Sequence, residues 1–527
     1  MGGRQWRRVI AATLFISAVP QSGAQSPYGP VPAPALPDTT AASGWTITPD
    51  ITVSETYNDN PTLAPSGGER SDFITQVTPG LRIDGRGPRL RGYFDYRPSA
   101  LLYARNSSNS RLINRLSSFG TLEAVENFFF VDVNGQVTQN FISPFGARPV
   151  DLSIDTSNRT ETRSFGLSPY VRGVLGRGYG YELRNRNTWT RTDTNLIGNF
   201  HSQEWSGRLA SPVRRFGWAL EYEDRKVDQE QFTVQRDLET RLARGRLFFQ
   251  PDYAWRFSLS AGREENNYRS FSEMDSFSMR GAGVTFTPSA RTSADLQYER
   301  RFFGPYRLAQ LTHRTRLTAW NLRYSRTASD FQQEVLRLPP GFTLPLIDAI
   351  FAARIPDPVE RANAIQQFYG ASGTPLFLSQ PLAFYTQQIF LQERLEASAG
   401  IIGVRNSITF SVFAGDSTQL TEGLSGVLPD AFLLGRRIKQ KGFGIRADHK
   451  VTPSTTAGVS ATRTQSEQLD PTAIDSWNNY LAFTLNHRVS PKTTTFAGVS
   501  HTGFKTQAVT VTDREAQAVF VGLRHRF

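Results

Sequence analysis

The sequence predicts an all-β fold, a transmembrane antiparallel up-and-down β-barrel of about 22 strands (range about 18 to 24) carrying a short helical insertion. Three observations predict it. The final stretch, Glu515 to Phe527, alternates with period two: Val519, Val521, Leu523, His525 and Phe527 fall on one side, and Ala518, Phe520, Gly522, Arg524 and Arg526 on the other. That is a strand with two unlike faces. Along the rest of the chain, tight turns alternate with longer polar stretches, the asymmetry of a barrel with short turns on one membrane side and long loops on the other. Finally, no stretch after the first 25 residues approaches the ~20 apolar residues of a membrane helix. A barrel needs none, because only alternate residues face lipid, so a mean hydropathy of -0.39 does not exclude a membrane protein.

Taken in order, residues 1–24 read as a secretory leader. Arg4, Arg7 and Arg8 precede a short apolar core from Val9 to Val19, and Ser22-Gly23-Ala24 supplies a small-residue cleavage site. Residues 25–45, rich in Pro, Ala and Ser, cannot bury a core and read as an extended periplasmic lead. The barrel is expected over 46–527, beginning with a strand near Thr46 to Tyr57. From Arg89 to Leu102 one strand places Leu90, Phe94, Tyr96, Ala100 and Leu102 on one face, with Arg89, Arg91, Asp95, Arg97 and Ser99 on the other. Pro98 is tolerated there only where the ladder is interrupted. Ten tight turns are expected, from Asp84–Pro88 to Ser490–Lys492, and polar stretches such as Phe141 to Thr160 are expected as outer loops. Residues 338–381 break the strand pattern. Asp357, Pro358, Glu360 and Gly370 mark the start and stop of a helix from about Pro358 to Tyr369, with a shorter one before it. The apolar faces of this pair require a cover: either a cap on neighbouring loops, or a plug folded into the barrel mouth.

Net charge is +12, or +9 without the three leader arginines, and 53 of the 59 basic residues are arginine. Arginine suits bidentate contact with carboxylate or phosphate. Two readings follow: arginines paired with the 47 acids along a polar lumen and with lipopolysaccharide phosphates near the rim, or a lumen with a positive field for an anionic solute. The candidates for lumen lining, chosen because each alternates against an apolar face, are Arg89, Arg91, Arg97, Arg301, Arg446, Arg488, Arg524 and Arg526. Cysteine is absent, which removes disulfides and thiolate metal sites, and the six histidines lack metal-ligand spacing. No catalytic motif, cofactor loop or nucleic-acid motif is present, so no enzyme, cofactor, metal or nucleic-acid partner is expected.

Two resemblances sharpen these expectations. The closing strand resembles the last strand of bacterial outer-membrane barrels, whose terminal aromatic is read by the assembly machinery; this implies an assembly signal at Gly522 and Phe527, with His525 standing where a second aromatic is usual. The stretches VSETYNDNPTLAPSGGERSDFITQVTPGL (Val53 to Leu81) and DYRPSALLYAR (Asp95 to Arg105) resemble the start of the PEP-CTERM system-associated outer-membrane β-barrel family. The resemblance implies a Gram-negative outer membrane and an association with exopolysaccharide loci, and it carries over no site. The expected function is an exopolysaccharide conduit or scaffold, the alternative being a general diffusion porin or structural barrel. Expected partners are outer-membrane lipid and lipopolysaccharide, the barrel-assembly machinery, exopolysaccharide and periplasmic export components.

Overall fold

The computed structural model describes residues 44–176, 178–193, 199–212, 214–229, 236–268, 273–329, 389–420, 437–468, 473–507 and 511–527. The expected helical insertion 338–381 and the leader 1–24 lie outside them. The first strands are β1 (Gly44–Asn58), β2 (Asp72–Arg86), β3 (Leu90–Tyr96), β4 (Ser99–Tyr103), β5 (Arg111–Ile113), β6 (Leu116–Val125), β7 (Phe129–Phe141) and β8 (Arg159–Leu175). There follow β9 (Tyr179–Thr192), β10 (Phe200–Ala210), β11 (Phe216–Gln229), β12 (Arg236–Phe249), β13 (Trp255–Asn266), β14 (Asp275–Ser289), β15 (Thr292–Arg301) and β16 (Gly304–Arg314). The last are β17 (Thr318–Ser329), β18 (Phe390–Ile402), β19 (Asn406–Gln419), β20 (Arg437–Lys450), β21 (Thr455–Gln468), β22 (Ile474–Arg488), β23 (Thr493–Gln507) and β24 (Val511–Arg526).

Apart from β3 with β4 and β5 with β6, every strand pairs antiparallel with its chain neighbours, and β24 returns to β1, so the sheet has no free edge. The segments make 22 staves, because β3 with β4, and β5 with β6, are each one stave interrupted in the same place. Tyr96 pairs with Leu116 and Ser99 with Ile113, so pairing resumes in the same register after Arg97 and Pro98. Pro98 has no N–H to give the ladder, and the break falls there. Closure matters energetically: lipid offers no hydrogen bonds, and only a closed ladder satisfies every backbone group.

Ten short turns lie on one side, from 87–89 to 489–492, in agreement with the ten turns expected from the sequence. Both ends of the described chain are on that side, where the Phe527 N–H donates to the Pro49 carbonyl at 3.0 Å. The polarity of the wall is inverted relative to a soluble protein. On β24, Val519 and Val521 are exposed, while charged groups such as Glu204, Arg244, Glu264 and Glu299 are buried on the inner face. Aromatic pairs belt the outside at both levels: Trp255 with Phe286 (4.2 Å) near the short turns, and Phe165 with Trp189 (5.8 Å) toward the long loops. A closed barrel with an apolar, aromatic-girdled outside and a charged inside is an outer-membrane protein, with its short turns in the periplasm.

One expected outer loop does not lie outside. The segment from Ile142 to Asn158, between β7 and β8, folds into the lumen. The reason is its composition: Ile142, Phe145, Ala147 and Ile154 need burial, and Asn and Ser side chains on the inner wall satisfy its backbone.

Candidate functional site

The lumen is built from two features, the segment 142–158 near the outer end and the basic rim at the periplasmic end. The segment is held by inward-facing side chains of distant staves. The Arg148 N–H donates to Asn478 Oδ1 (2.8 Å), the Arg148 guanidinium to Thr464 Oγ1 (2.8 Å), and Ser476 Oγ to the Pro144 carbonyl (3.3 Å). On the other flank Asn58 Nδ2 donates to Ser153 Oγ (3.2 Å) and the Tyr103 hydroxyl to the Ser153 carbonyl (2.8 Å). Ala147 and Ile154 bury with Leu63, Phe504 and Ala516. Phe145 packs against Phe390 and Ile438, on β18 and β20.

That last contact fixes the shape of the mouth. β7 is the fifth stave and β18 the sixteenth, half-way round the ring. A round 22-stave barrel at a strand spacing of about 4.8 Å and a tilt of about 40° would be roughly 44 Å across. Phe145 lies four residues past the end of β7, a backbone reach of at most about 14 Å. The walls therefore approach each other at this level, and the outer end is narrowed. A second apolar cluster does the same elsewhere: Ile389, just before β18, buries with Phe200, Val227 and Leu238 of β10, β11 and β12.

Arg148 is the cation of this segment that no carboxylate matches. Among the described residues it makes no ion pair, its Nε is buried without a partner, and burial lowers its pKa from the ordinary value. Burial raises the Asp151 carboxyl, opposed by a hydrogen bond from the Ser153 N–H (2.8 Å) and by the Arg159 charge.

The eight nominated arginines divide into two sets of four. Arg97, Arg301, Arg446 and Arg524 lie on the inner wall in ion pairs. Arg97 contacts Asp50 at 2.9 Å and Asp95 at 2.7 Å, and Arg524 contacts the other oxygen of the same Asp50 at 3.1 Å. Arg301 is paired with Glu264 at 2.5 Å and Arg446 with Asp448 at 2.7 Å. The same economy holds on other staves: Arg244 bridges Glu221 (2.6 Å) and Glu299 (3.2 Å), and Arg184 holds Asp132 (2.8 Å). Most of the described wall charge is thus internally neutralised. Arg89, Arg91, Arg488 and Arg526 differ, because all four stand at the periplasmic end and none has a carboxylate in ion-pair reach among the described residues.

Sequence reasoning missed a repeat that defines this rim. His313-Arg314, His449-Lys450, His487-Arg488 and His525-Arg526 each end a strand descending to a periplasmic turn or to the C-terminus. In each, the histidine faces outward against a cross-strand polar partner, Nδ1 lying 2.9 Å from Thr292, Thr455 and Thr493 Oγ1 respectively and 2.6 Å from Asn406 Oδ1 for His449. By the period of two, the following cation faces the lumen. His525 is therefore one of a set of amphipathic belt residues. The dipeptide was legible, had strand ends been compared with one another.

The end of β24 also has structural reasons for its residues. A Cβ on Gly522 would lie 2.3 Å from the Phe496 ring and 2.8 Å from Ser54 Cβ, so only glycine lets that ring lie along the inner wall. Phe527 meets the His525 ring edge-on at 5.0 Å.

The two ends differ in charge. Among the described residues, the ten periplasmic turns carry seven basic residues and two acidic ones, whereas the connections on the other side carry three basic and six acidic. Among the described residues no group of three or more His, Cys, Asp or Glu is arranged to hold a metal.

No family model and no curated protein sequence matches the chain. Solved structures similar to it include the siderophore receptor PirA from Pseudomonas aeruginosa (8% identity, TM-score 0.38, covering 92% of this chain and 81% of that one). Another is OccK2 from Pseudomonas aeruginosa (9%, TM-score 0.36, 91% and 98%). A third is the ferric citrate transporter FecA (8%, TM-score 0.41, 91% and 78%). At these scores the likeness adds nothing to function. The architecture rests on the chain's own closure and register: it is an antiparallel barrel of 22 staves in the bacterial outer membrane.

Proposed function

We propose that the barrel is a conduit for an anionic exopolysaccharide leaving the periplasm, narrowed at its outer end by the segment 142–158. The observation that carries this reading is the charge difference between its ends. A polyanion approaching from the periplasm meets Arg89, Arg91, Arg488 and Arg526 together with a set of basic turns. Such a field raises local concentration within a screening length of about 8 Å at physiological ionic strength. Above the rim the wall is charge-balanced, so the polymer is attracted at the entrance without being trapped along the way; conduction requires both. Acidic outer connections favour release. The resemblance of Val53 to Leu81 to an exopolysaccharide-associated family supports the choice of polymer over a small anion.

A general diffusion porin is the second reading, favoured by the neutralised wall around Asp50, Glu264 and Glu299. Reconstituted channels separate the two. Under the conduit reading, liposomes do not swell in neutral sugars until 142–158 is released, and neutralising the four rim arginines lowers surface polymer. Free sugar passage through the intact barrel, with polymer unchanged in the rim variant, would favour the porin. The role is electrostatic and steric, and it assigns catalysis to no residue.

A further inference from the structure

The outward face of β14, β15 and β16 carries a second charge arrangement that the lumen does not explain. Arg280 and Arg300 stand directly opposite each other across the β14–β15 pair, and both are exposed. Arg307, exposed on β16, pairs with Tyr298, the outward residue one position below Arg300 on its strand face. Like charges directly opposed in a sheet are destabilising unless something lies between them. Arg280 and Arg300 have no carboxylate partner among the described residues, and Arg307 reaches only the Tyr324 hydroxyl, which itself donates to Glu393 at 2.7 Å. Several other outward arginines are matched: Arg163 holds Asp193 (3.0 Å), Arg263 holds Glu265 (3.0 Å) and Arg437 holds Asp416 (2.5 Å). Arg191 and Arg463 make no ion pair among the described residues, but Arg191 stands opposite the matched Arg163 and Arg463 opposite Phe443 and Asn479, so neither faces a second unmatched arginine.

Height identifies what could lie between them. Arg280, Arg300 and Arg307 are each seven to nine residues from the periplasmic end of their strands. At about 3.4 Å per residue and a tilt of about 40° that is roughly 20 Å, close to the outer edge of an apolar band about 25 Å tall. Below them the outward residues are Ala282, Val284 and Phe286 on β14 and Ala294, Leu296 and Tyr298 on β15, all suited to acyl chains or the membrane interface. The three guanidiniums therefore sit at the headgroup level of the outer leaflet.

We infer that Arg280, Arg300 and Arg307 form a binding site for the phosphate of an outer-leaflet lipopolysaccharide headgroup. A phosphate carries enough negative charge to offset two opposed arginines and accepts the paired N–H bonds a guanidinium offers. The site faces lipid and is independent of what passes through the lumen.

The test is lipid retention by the purified full-length barrel, comparing wild type with Arg280→Gln/Arg300→Gln/Arg307→Gln. Both are exchanged into nanodiscs containing either lipid A with both phosphates or the same lipid enzymatically dephosphorylated. The site predicts that wild type retains the phosphorylated lipid about tenfold better than the variant, that the dephosphorylated lipid is not retained, and that excess inorganic phosphate fails to displace the lipid. Heat-modifiable mobility verifies that the variant is folded, and an Arg→Lys triple variant, keeping the charge, recovers part of the retention. Equal retention by wild type and the glutamine variant, equal retention of the dephosphorylated lipid, or displacement by inorganic phosphate would each overturn it.

Discussion

Phe145 packs against Phe390 across the lumen, although their staves lie half-way round the ring from each other. This contact joins β7 to β18 only if the mouth is flattened. Replacing Phe145 by Ala therefore removes a tether between opposite walls. Single-channel conductance is expected to rise, while thermal stability falls by part of the ~3–5 kcal/mol of a full Phe→Ala burial loss, since Phe145 is only half-buried. Unchanged conductance would show that the tether does not limit the pore.

Asn478 accepts the Arg148 N–H and Ser476 donates to Pro144, so β22 is the far anchor of the inward segment. Asn478→Ala leaves a backbone donor unmet, at a cost of about 1–3 kcal/mol. Proteolysis of 142–158 in intact cells is expected to accelerate in this variant, with the barrel itself still heat-modifiable. Equal cleavage of both proteins would mean the segment is held by its apolar residues alone.

The paired wall predicts an asymmetric mutational response. Glu264 is 1% exposed and faces Arg301, so Glu264→Gln strands a buried cation and is expected to cost about 3–5 kcal/mol in urea unfolding from bilayers. The double variant Glu264→Gln/Arg301→Met should recover most of the loss. A double variant as unstable as the single would indicate that other partners, such as Phe303 beside Arg301, dominate.

Asp50 serves two arginines at once, Arg97 and Arg524. Asp50→Asn keeps the shape, leaves Arg97 with Asp95 alone and frees Arg524, adding one net positive charge above the rim. Anion preference in planar bilayers is expected to increase, and a shift toward cations would contradict the wall geometry.

The fold was largely legible because its signals are local. Period-two alternation and turn chemistry placed all ten periplasmic turns, and the Leu90–Leu102 faces survive the break at Pro98 because pairing resumes in register. What escaped was the partner of each group. Nothing local tells that Asp50 meets Arg524, which lies 474 positions away, and alternation alone therefore could not sort the eight arginines into paired and unpaired sets. Segment 142–158 was read as an outer loop from its polar composition, although Phe145, Ala147 and Ile154 are its decisive residues. His525 looked anomalous alone and becomes regular beside His313, His449 and His487.

An anion-attracting periplasmic entrance sets the sign of the reversal potential across a planar bilayer under a salt gradient. Wild type is predicted to prefer anions, and Arg89→Gln/Arg91→Gln/Arg488→Gln/Arg526→Gln to shift toward cations with conductance nearly unchanged. An identical reversal potential for the two proteins would contradict the claim.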